Sequence, residues 1–257
     1  LKKILDLALI CYIFLGLFFQ IFSQSIHAGS MTHTESAIHS LKDGQMTIQL
    51  GGYWRGPGSE QFIHIQDLIG DRLTVTNATD FNGLFGVGYF LNGKDYGQLH
   101  TQFGLNWFFL PRTEVSGTVL QENSFSNFSY SYNLIQYPLY VVGKSMIDTP
   151  LQGHHVTLDV GLGPNFMKAT RFSETALTQT LAFTPVPGQL FSDKTTVNFS
   201  VTAGAGIRFD HVFGDAPLEC GYRFFYLGQG QFNIANNQVI NTLKTGQIYA
   251  NAAICSG

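Results

Sequence analysis

Charge is scarce in this sequence. Only 12% of its 257 residues are Asp, Glu, Lys or Arg, against roughly 25% in soluble domains. The 14 Lys and Arg against 17 Asp and Glu give a formal net charge of -3, which excludes the basic surface that nucleic-acid binding requires. Cysteine is almost absent, with three residues, so a small disulfide-built scaffold is excluded. After the first thirty residues no apolar run approaches the roughly 20 residues of a membrane-spanning helix, which argues against a helix bundle in lipid. Aromatics and glycine are abundant instead: 23 Phe, 11 Tyr and 28 Gly. The chain is too poor in charge for an ordinary soluble protein and too polar for a helical membrane protein.

The first thirty residues stand apart. Lys2 and Lys3 precede an apolar run over 7–19 and a polar stretch over 20–24, the order of a secretory signal peptide. Residues 1–28 are therefore expected to be a cleaved export signal, and residues 29–45 a short polar leader. Cys11 leaves with the signal, so Cys220 and Cys255 remain. Two cysteines in an exported chain can form one bridge. The alternation described next puts them on opposite strand faces, which argues against that bridge, because a disulfide needs closely apposed Cβ atoms.

From residue 46 onward the dominant period is two. In 197–209, Val197, Phe199, Val201, Ala203, Ala205, Ile207 and Phe209 share one face, and Asn198, Ser200, Thr202, Gly204, Gly206 and Arg208 the other. A strand places successive side chains on opposite faces. Seven more segments read the same way, beginning near residues 46, 81, 99, 135, 156, 218 and 247. In the last of these, Ile248, Ala250, Ala252 and Ile254 are read as the outward apolar face, against Gln247 and Asn251. Eight strands, each long enough to cross a bilayer when tilted, predict an all-β, eight-stranded antiparallel up-and-down transmembrane barrel over residues 46–257.

Three features turn the apolar faces outward, to lipid. The apolar faces carry no charge, whereas Arg55, Lys144, Asp159, Arg208, Glu219 and Arg223 all fall on the opposite face. That opposite face is rich in glycine, which suits a crowded lumen filled by a few large side chains. Trp54, Trp107, Phe109, Tyr137, Phe209 and Tyr226 lie near strand ends, the composition of interfacial girdles. The six inward charges are expected to form an ion-pair network, since buried charges persist when paired. Within it, Glu219 and Arg223 are expected to reach across to Lys144, Asp159 or Arg208.

Connections alternate in length. Long ones cover 56–80, 111–125, 168–194 and 229–241, and short ones lie near 92–97, 148–153 and 210–216. Outer-membrane barrels have long extracellular loops and short periplasmic turns, so both termini are expected on the periplasmic side. Residues 114–121, 125–133 and 62–76 still alternate and are read as extracellular β-extensions. Loops on a rigid scaffold are where function usually sits, and Phe62, Ile65, Arg72, Arg171, Phe172 and Phe191 are the loop side chains expected to make contacts.

The segments NGLFGVGYFL at 82–91, YPLYVVGKSM at 137–146, VGLGPNFM at 160–167, GAGIRF at 204–209 and PLECGYRFF at 217–225 make the chain resemble outer-membrane β-barrels of the eight-stranded OmpA-transmembrane and opacity-protein type. The resemblance covers about residues 46–256. It implies a bacterial outer-membrane location, with outer-membrane lipid and the barrel-assembly machinery as partners. Such proteins commonly end on an aromatic residue, whereas this sequence ends Ile254-Cys255-Ser256-Gly257.

No catalytic pattern occurs. No Ser, His and acidic residue share a strand face, His154-His155 point to opposite faces, and no zinc, phosphate-loop or calcium-loop spacing occurs. No cofactor or metal is expected. The reading is a non-enzymatic surface protein acting through its extracellular loops in adhesion, host contact or envelope integrity, with an unidentified host or envelope partner. A narrow pore or small-solute transporter is the alternative.

Overall fold

The computed structural model describes residues 44–56, 58–77, 81–122, 124–177 and 187–257. The expected export signal, and all of the leader before Gly44, lie outside them. Twelve strands follow in order: β1 (Gln45–Arg55), β2 (Gln61–Ile63), β3 (Asp71–Asn77), β4 (Phe81–Tyr96), β5 (Leu99–Gln121), β6 (Phe125–Asp148), β7 (His154–Ala176), β8 (Phe191–Ser192), β9 (Lys194–Phe213), β10 (Ala216–Gln231), β11 (Asn233–Ile234) and β12 (Lys244–Ser256). Eight of these close a ring in the order β1-β4-β5-β6-β7-β9-β10-β12, and β12 returns to β1 through antiparallel pairs from Gln49↔Ser256 to Arg55↔Ala250. This is the up-and-down eight-stranded barrel that the period-two reading predicts.

The ring is built from amphipathic strands. On β1, Met46, Ile48, Leu50 and Trp54 face outward, and Thr47, Gln49, Tyr53 and Arg55 are buried inside. The same division holds on β4, where Phe81, Phe85 and Tyr89 are outside and Leu84 and Phe90 inside, and on β7, where Val156, Leu158, Val160 and Leu162 are outside and Thr157, Asp159 and Asn165 inside. The outer surface therefore carries a continuous apolar belt, edged by aromatic contacts such as Trp107–Tyr137, Phe109–Tyr137 and Tyr226–Tyr249. At one end of the ring, three tight turns join β4 to β5, β6 to β7 and β9 to β10. Gly97, Gly153 and Gly214 sit there with φ of 67°, 72° and 69°, a region that side-chain-bearing residues rarely enter.

The last strand is the exception, and it corrects the sequence reading. Ile248, Ala250, Ala252 and Ile254 face the lumen, and Tyr249, 43% exposed, faces outward. The inner wall beside large lumenal side chains selects for small size as well as polarity, so alanine on that wall mimics an outward apolar face. With β12 turned over, Cys255 lies on the outer surface directly opposite Cys220 of β10, with Cα atoms 4.1 Å apart, and the two form a disulfide. In the orientation expected from the sequence the two cysteines would lie on opposite faces of the sheet, but in the inverted strand they share one.

At the other end, β5, β6 and β7 run on for about ten residues beyond the belt. What reads as an irregular connection over 111–125 is a long hairpin whose strands pair to Gln121↔Phe125. β3 joins its edge through Arg72↔Leu120 to Asn77↔Ser116, and β2 adds to β3. The expected β-extensions are thus present.

Candidate functional site

The ring, its lumen and its two ends form four layers. Nearest the tight turns, a row of ionisable side chains lines the mouth. His100 Nδ1 lies 2.9 Å from Asp95 Oδ1, and its Nε2 lies 3.2 Å from Asp148 Oδ2. His155 Nδ1 lies 2.8 Å from Asp148 Oδ1, and its Nε2 lies 2.7 Å from Asp210 Oδ2. Arg208 Nε then donates to Asp210 Oδ1 at 3.0 Å. The sequence places Arg208 in the lumenal network, but the structure assigns it to this mouth. Alternation gives His100 and His155 a strand face but not the carboxylates they meet, so this row is not legible in the sequence.

The second layer holds the expected lumenal pairs. Arg223 meets Asp159 through two contacts, Nη1–Oδ1 at 2.7 Å and Nη2–Oδ2 at 2.8 Å. Lys144 pairs with Glu219, whose other oxygen accepts from Thr157 Oγ1 at 2.9 Å. Lys144 also lies over the Phe90 ring at 5.5 Å, and Arg223 over Phe108 at 5.4 Å. Gly204 leaves the room for this arrangement, because a Cβ there would sit 2.6 Å from Asp159 Oδ2 and 3.1 Å from Arg223 Nη2. Beside the pairs is a cavity of about 30 Å³ lined by Thr47, Gln49, Asn106 and the four charged groups, enough for a water or two.

The third layer closes the passage. Phe108 packs edge-on against both Tyr140 and Phe225, which are tilted against each other, with centroids 5.2–6.2 Å apart, and Tyr140 Oη shares a 2.6 Å hydrogen bond with Ser200 Oγ. Next to them Asn165 Nδ2 donates to the Leu227 carbonyl at 2.8 Å, and Tyr53 Oη donates to the Pro111 carbonyl, also at 2.8 Å. Arg55, expected in the charge network, is buried beyond this plug, at the loop end of β1 and close enough to act on the Tyr132 phenol. Distance along the barrel separates it from Asp159 and Glu219, and alternation fixes only which face a residue takes.

The fourth layer is a cap with an apolar core of its own. Tyr130, Tyr132, Phe172, Phe191 and Phe232 are all buried and linked ring to ring. Phe172 and Phe191, read from the sequence as loop contacts, are 9% and 1% exposed. They pack in the core of the cap rather than on its surface. Backbone bonds stitch the first and last loops, from Gln66 N–H to the Gln238 carbonyl and from Ile240 N–H to the His64 carbonyl. Of the other expected contacts, Phe62 and Ile65 are half-buried, Arg72 is exposed and paired with Glu60, and Arg171 is exposed with φ of 56°.

Two carboxyls lie within this cap. Burial raises the Glu174 carboxyl to about 7, and Asp71 nearby adds to the shift while a Gly188 backbone hydrogen bond opposes it. Burial also raises Asp71, against a backbone hydrogen bond from Glu122. At the tip, Leu68, Ile69 and Phe125 are exposed, and Ile69 N–H donates to Glu122 Oε2 at 3.0 Å. Among the described residues, no three His, Cys, Asp or Glu side chains converge to hold a metal ion.

No protein-family model and no curated protein matches the sequence. Among solved structures, the chain is similar to Neisserial surface protein A, at 12% identity over 83% of this chain and 97% of that one, with a TM-score of 0.36. It is similar to Ail, the attachment invasion locus protein of Yersinia pestis, solved with the heparin analogue sucrose octasulfate, at 12% identity, 83% and 97% coverage and a TM-score of 0.33. It is also similar to the outer membrane protein AlkL in lipid bilayers, at 12% identity, 83% and 89% coverage and a TM-score of 0.34.

Proposed function

We propose that this protein is an integral bacterial outer-membrane barrel that acts at the cell surface through its capped loop end, in adhesion, host contact or envelope integrity, without catalysis. The barrel is the anchor, and its apolar belt faces lipid. The observation that carries the reading is the extension of β5, β6 and β7 past the belt. Those strands rise roughly 30 Å further at about 3.3 Å per residue, and end in a tip bearing exposed Leu68, Ile69 and Phe125. A rigid sheet held that far from the bilayer presents its tip to other surfaces. The lumen supports the same reading: ion pairs and the Phe108–Tyr140–Phe225 layer fill it, as expected for eight strands, which disfavours the pore alternative.

Two measurements on the full chain test this. In planar bilayers the folded protein is expected to be electrically silent, and steady single-channel conductance would transfer the function to the lumen. On cells, replacing 66–70 by a short Gly-Ser link is expected to reduce attachment to a host-cell monolayer while heat-modifiable gel migration persists. Unchanged attachment and unchanged envelope resistance to detergent would sink the loop-based reading.

A further inference from the structure

At the tight-turn end, one row of side chains spans five neighbouring strands of the ring. Asp95 comes from β4, His100 from β5, Asp148 from β6, His155 from β7, and Asp210 with Arg208 from β9. Arg208 Nη1 also donates across the mouth to Gln45 Oε1 of β1 at 3.3 Å. Acidic and basic groups alternate along the whole row. Backbone bonds tie it to the turns, from Asp148 N–H to the Gln98 carbonyl and from Asp210 N–H to the Gly153 carbonyl, both at 2.9 Å.

Hydrogen-bond counting fixes the protonation this row needs. An ionised carboxylate only accepts, and a neutral imidazole has one N–H. His100 and His155 each have a carboxylate oxygen at both ring nitrogens. Each therefore satisfies both contacts only as the imidazolium. With two imidazoliums and Arg208 against three carboxylates, the row is neutral. Without the two protons it carries two uncompensated negative charges, and Asp148 faces two imidazoles that each lack one donor.

We propose that this row is a proton-held clasp: protonated His100 and His155 lock the turns of β4 through β9 together below the lumenal cavity, and loss of those protons releases them. The charged groups facing the two imidazoles are Asp95 from β4, Asp148 from β6, and Asp210 with Arg208 from β9. The directions of titration agree. Hydrogen bonds to Asp95 and Asp148 raise His100, so its share of the clasp is complete below about 6.5 and is lost as pH climbs through its folded value. Hydrogen bonds from His100 and His155 lower Asp148. Burial raises Asp210, but the bonds from His155 and Arg208 outweigh it and lower the carboxyl overall. The carboxylate side is thus complete above about 3.9 and fails only in stronger acid. The clasp is complete in mild acid and opens as pH climbs through the raised His100 value.

The test uses the full chain folded in detergent micelles with ¹⁵N-labelled histidine. At pH 6 both ring nitrogens of His100 and His155 are expected to carry protons. Amide exchange at 97–98 and 149–153, corrected for the intrinsic pH dependence, is expected to rise at least tenfold between pH 6 and pH 8.5. The variant His100→Gln/His155→Gln is expected to exchange fast at both pH values, with no further rise. Neutral imidazoles at pH 6, or the same pH-dependent rise in the variant, would overturn the clasp. If the variant fails to fold, the labelled wild-type titration decides: imidazolium signals that vanish in step with faster turn exchange support it, and exchange that ignores them refutes it.

Discussion

Arg223 and Asp159 show at the scale of single residues why the lumen tolerates charge. Each is almost fully buried, and each is met by the other through two contacts. Removing one partner leaves the other charge without compensation, at a cost of about 3–5 kcal/mol, whereas replacing both with apolar groups is often neutral. Arg223→Met is therefore expected to lower the urea midpoint of the micelle-folded barrel sharply, and Arg223→Met/Asp159→Leu to recover most of the loss. Glu174 in the cap follows a different rule. Its raised carboxyl means that the folded state favours the neutral acid. Stability is complete below the unfolded value near 4.3 and declines as pH rises through about 7. Amide exchange around 172–176 is expected to accelerate across that interval, and Glu174→Gln to flatten the dependence.

At the scale of elements, β12 is the strand on which ring closure depends, since it pairs with β10 on one side and β1 on the other. The Cys220–Cys255 bridge fastens it to β10 independently of its pairing with β1. A cross-link of this kind stabilises by about 2–4 kcal/mol, in the usual account by restricting the unfolded chain. Cys220→Ser/Cys255→Ser is expected to fold, but to lose heat-modifiable migration at a lower temperature than the wild type. Equal temperatures with and without reductant would show that the bridge adds nothing to the folded barrel. The same strand shows where sequence patterns mislead. Alternation identifies it as a strand, but its inward Ala250 and Ala252 face a lumen crowded by Phe225 and Phe108, where small size matters more than polarity.

For the molecule as a whole, ring and cap are held by different forces. The ring is a closed set of strand ladders with no free edge, and the cap is a cluster of aromatic rings and loop hydrogen bonds above it. Shortening the loop over 233–241 removes the bonds of Gln238 and Ile240 to the first loop but leaves the ring ladders intact. The shortened protein is expected to keep heat-modifiable migration while a protease gains access to 61–66. Loss of the folded form would mean that the barrel depends on its cap.

The ring was legible in the sequence: alternation on eight segments, scarce charge on the outward faces and three short connections leave an antiparallel barrel as the consistent solution. It also put Lys144, Asp159, Glu219 and Arg223 on inward faces as candidate partners, without saying which of them pair. The folded chain alone sets which partners meet around the ring and at what height. It carried Arg55 to the cap and Arg208 to the mouth, drew Phe172 and Phe191 into a core, turned β12 over so that Cys220 and Cys255 met, and aligned two histidines with three aspartates from five strands. Period-two alternation specifies a face. Height and neighbour depend on the register between strands far apart in sequence, which hydrogen bonding and packing fix together.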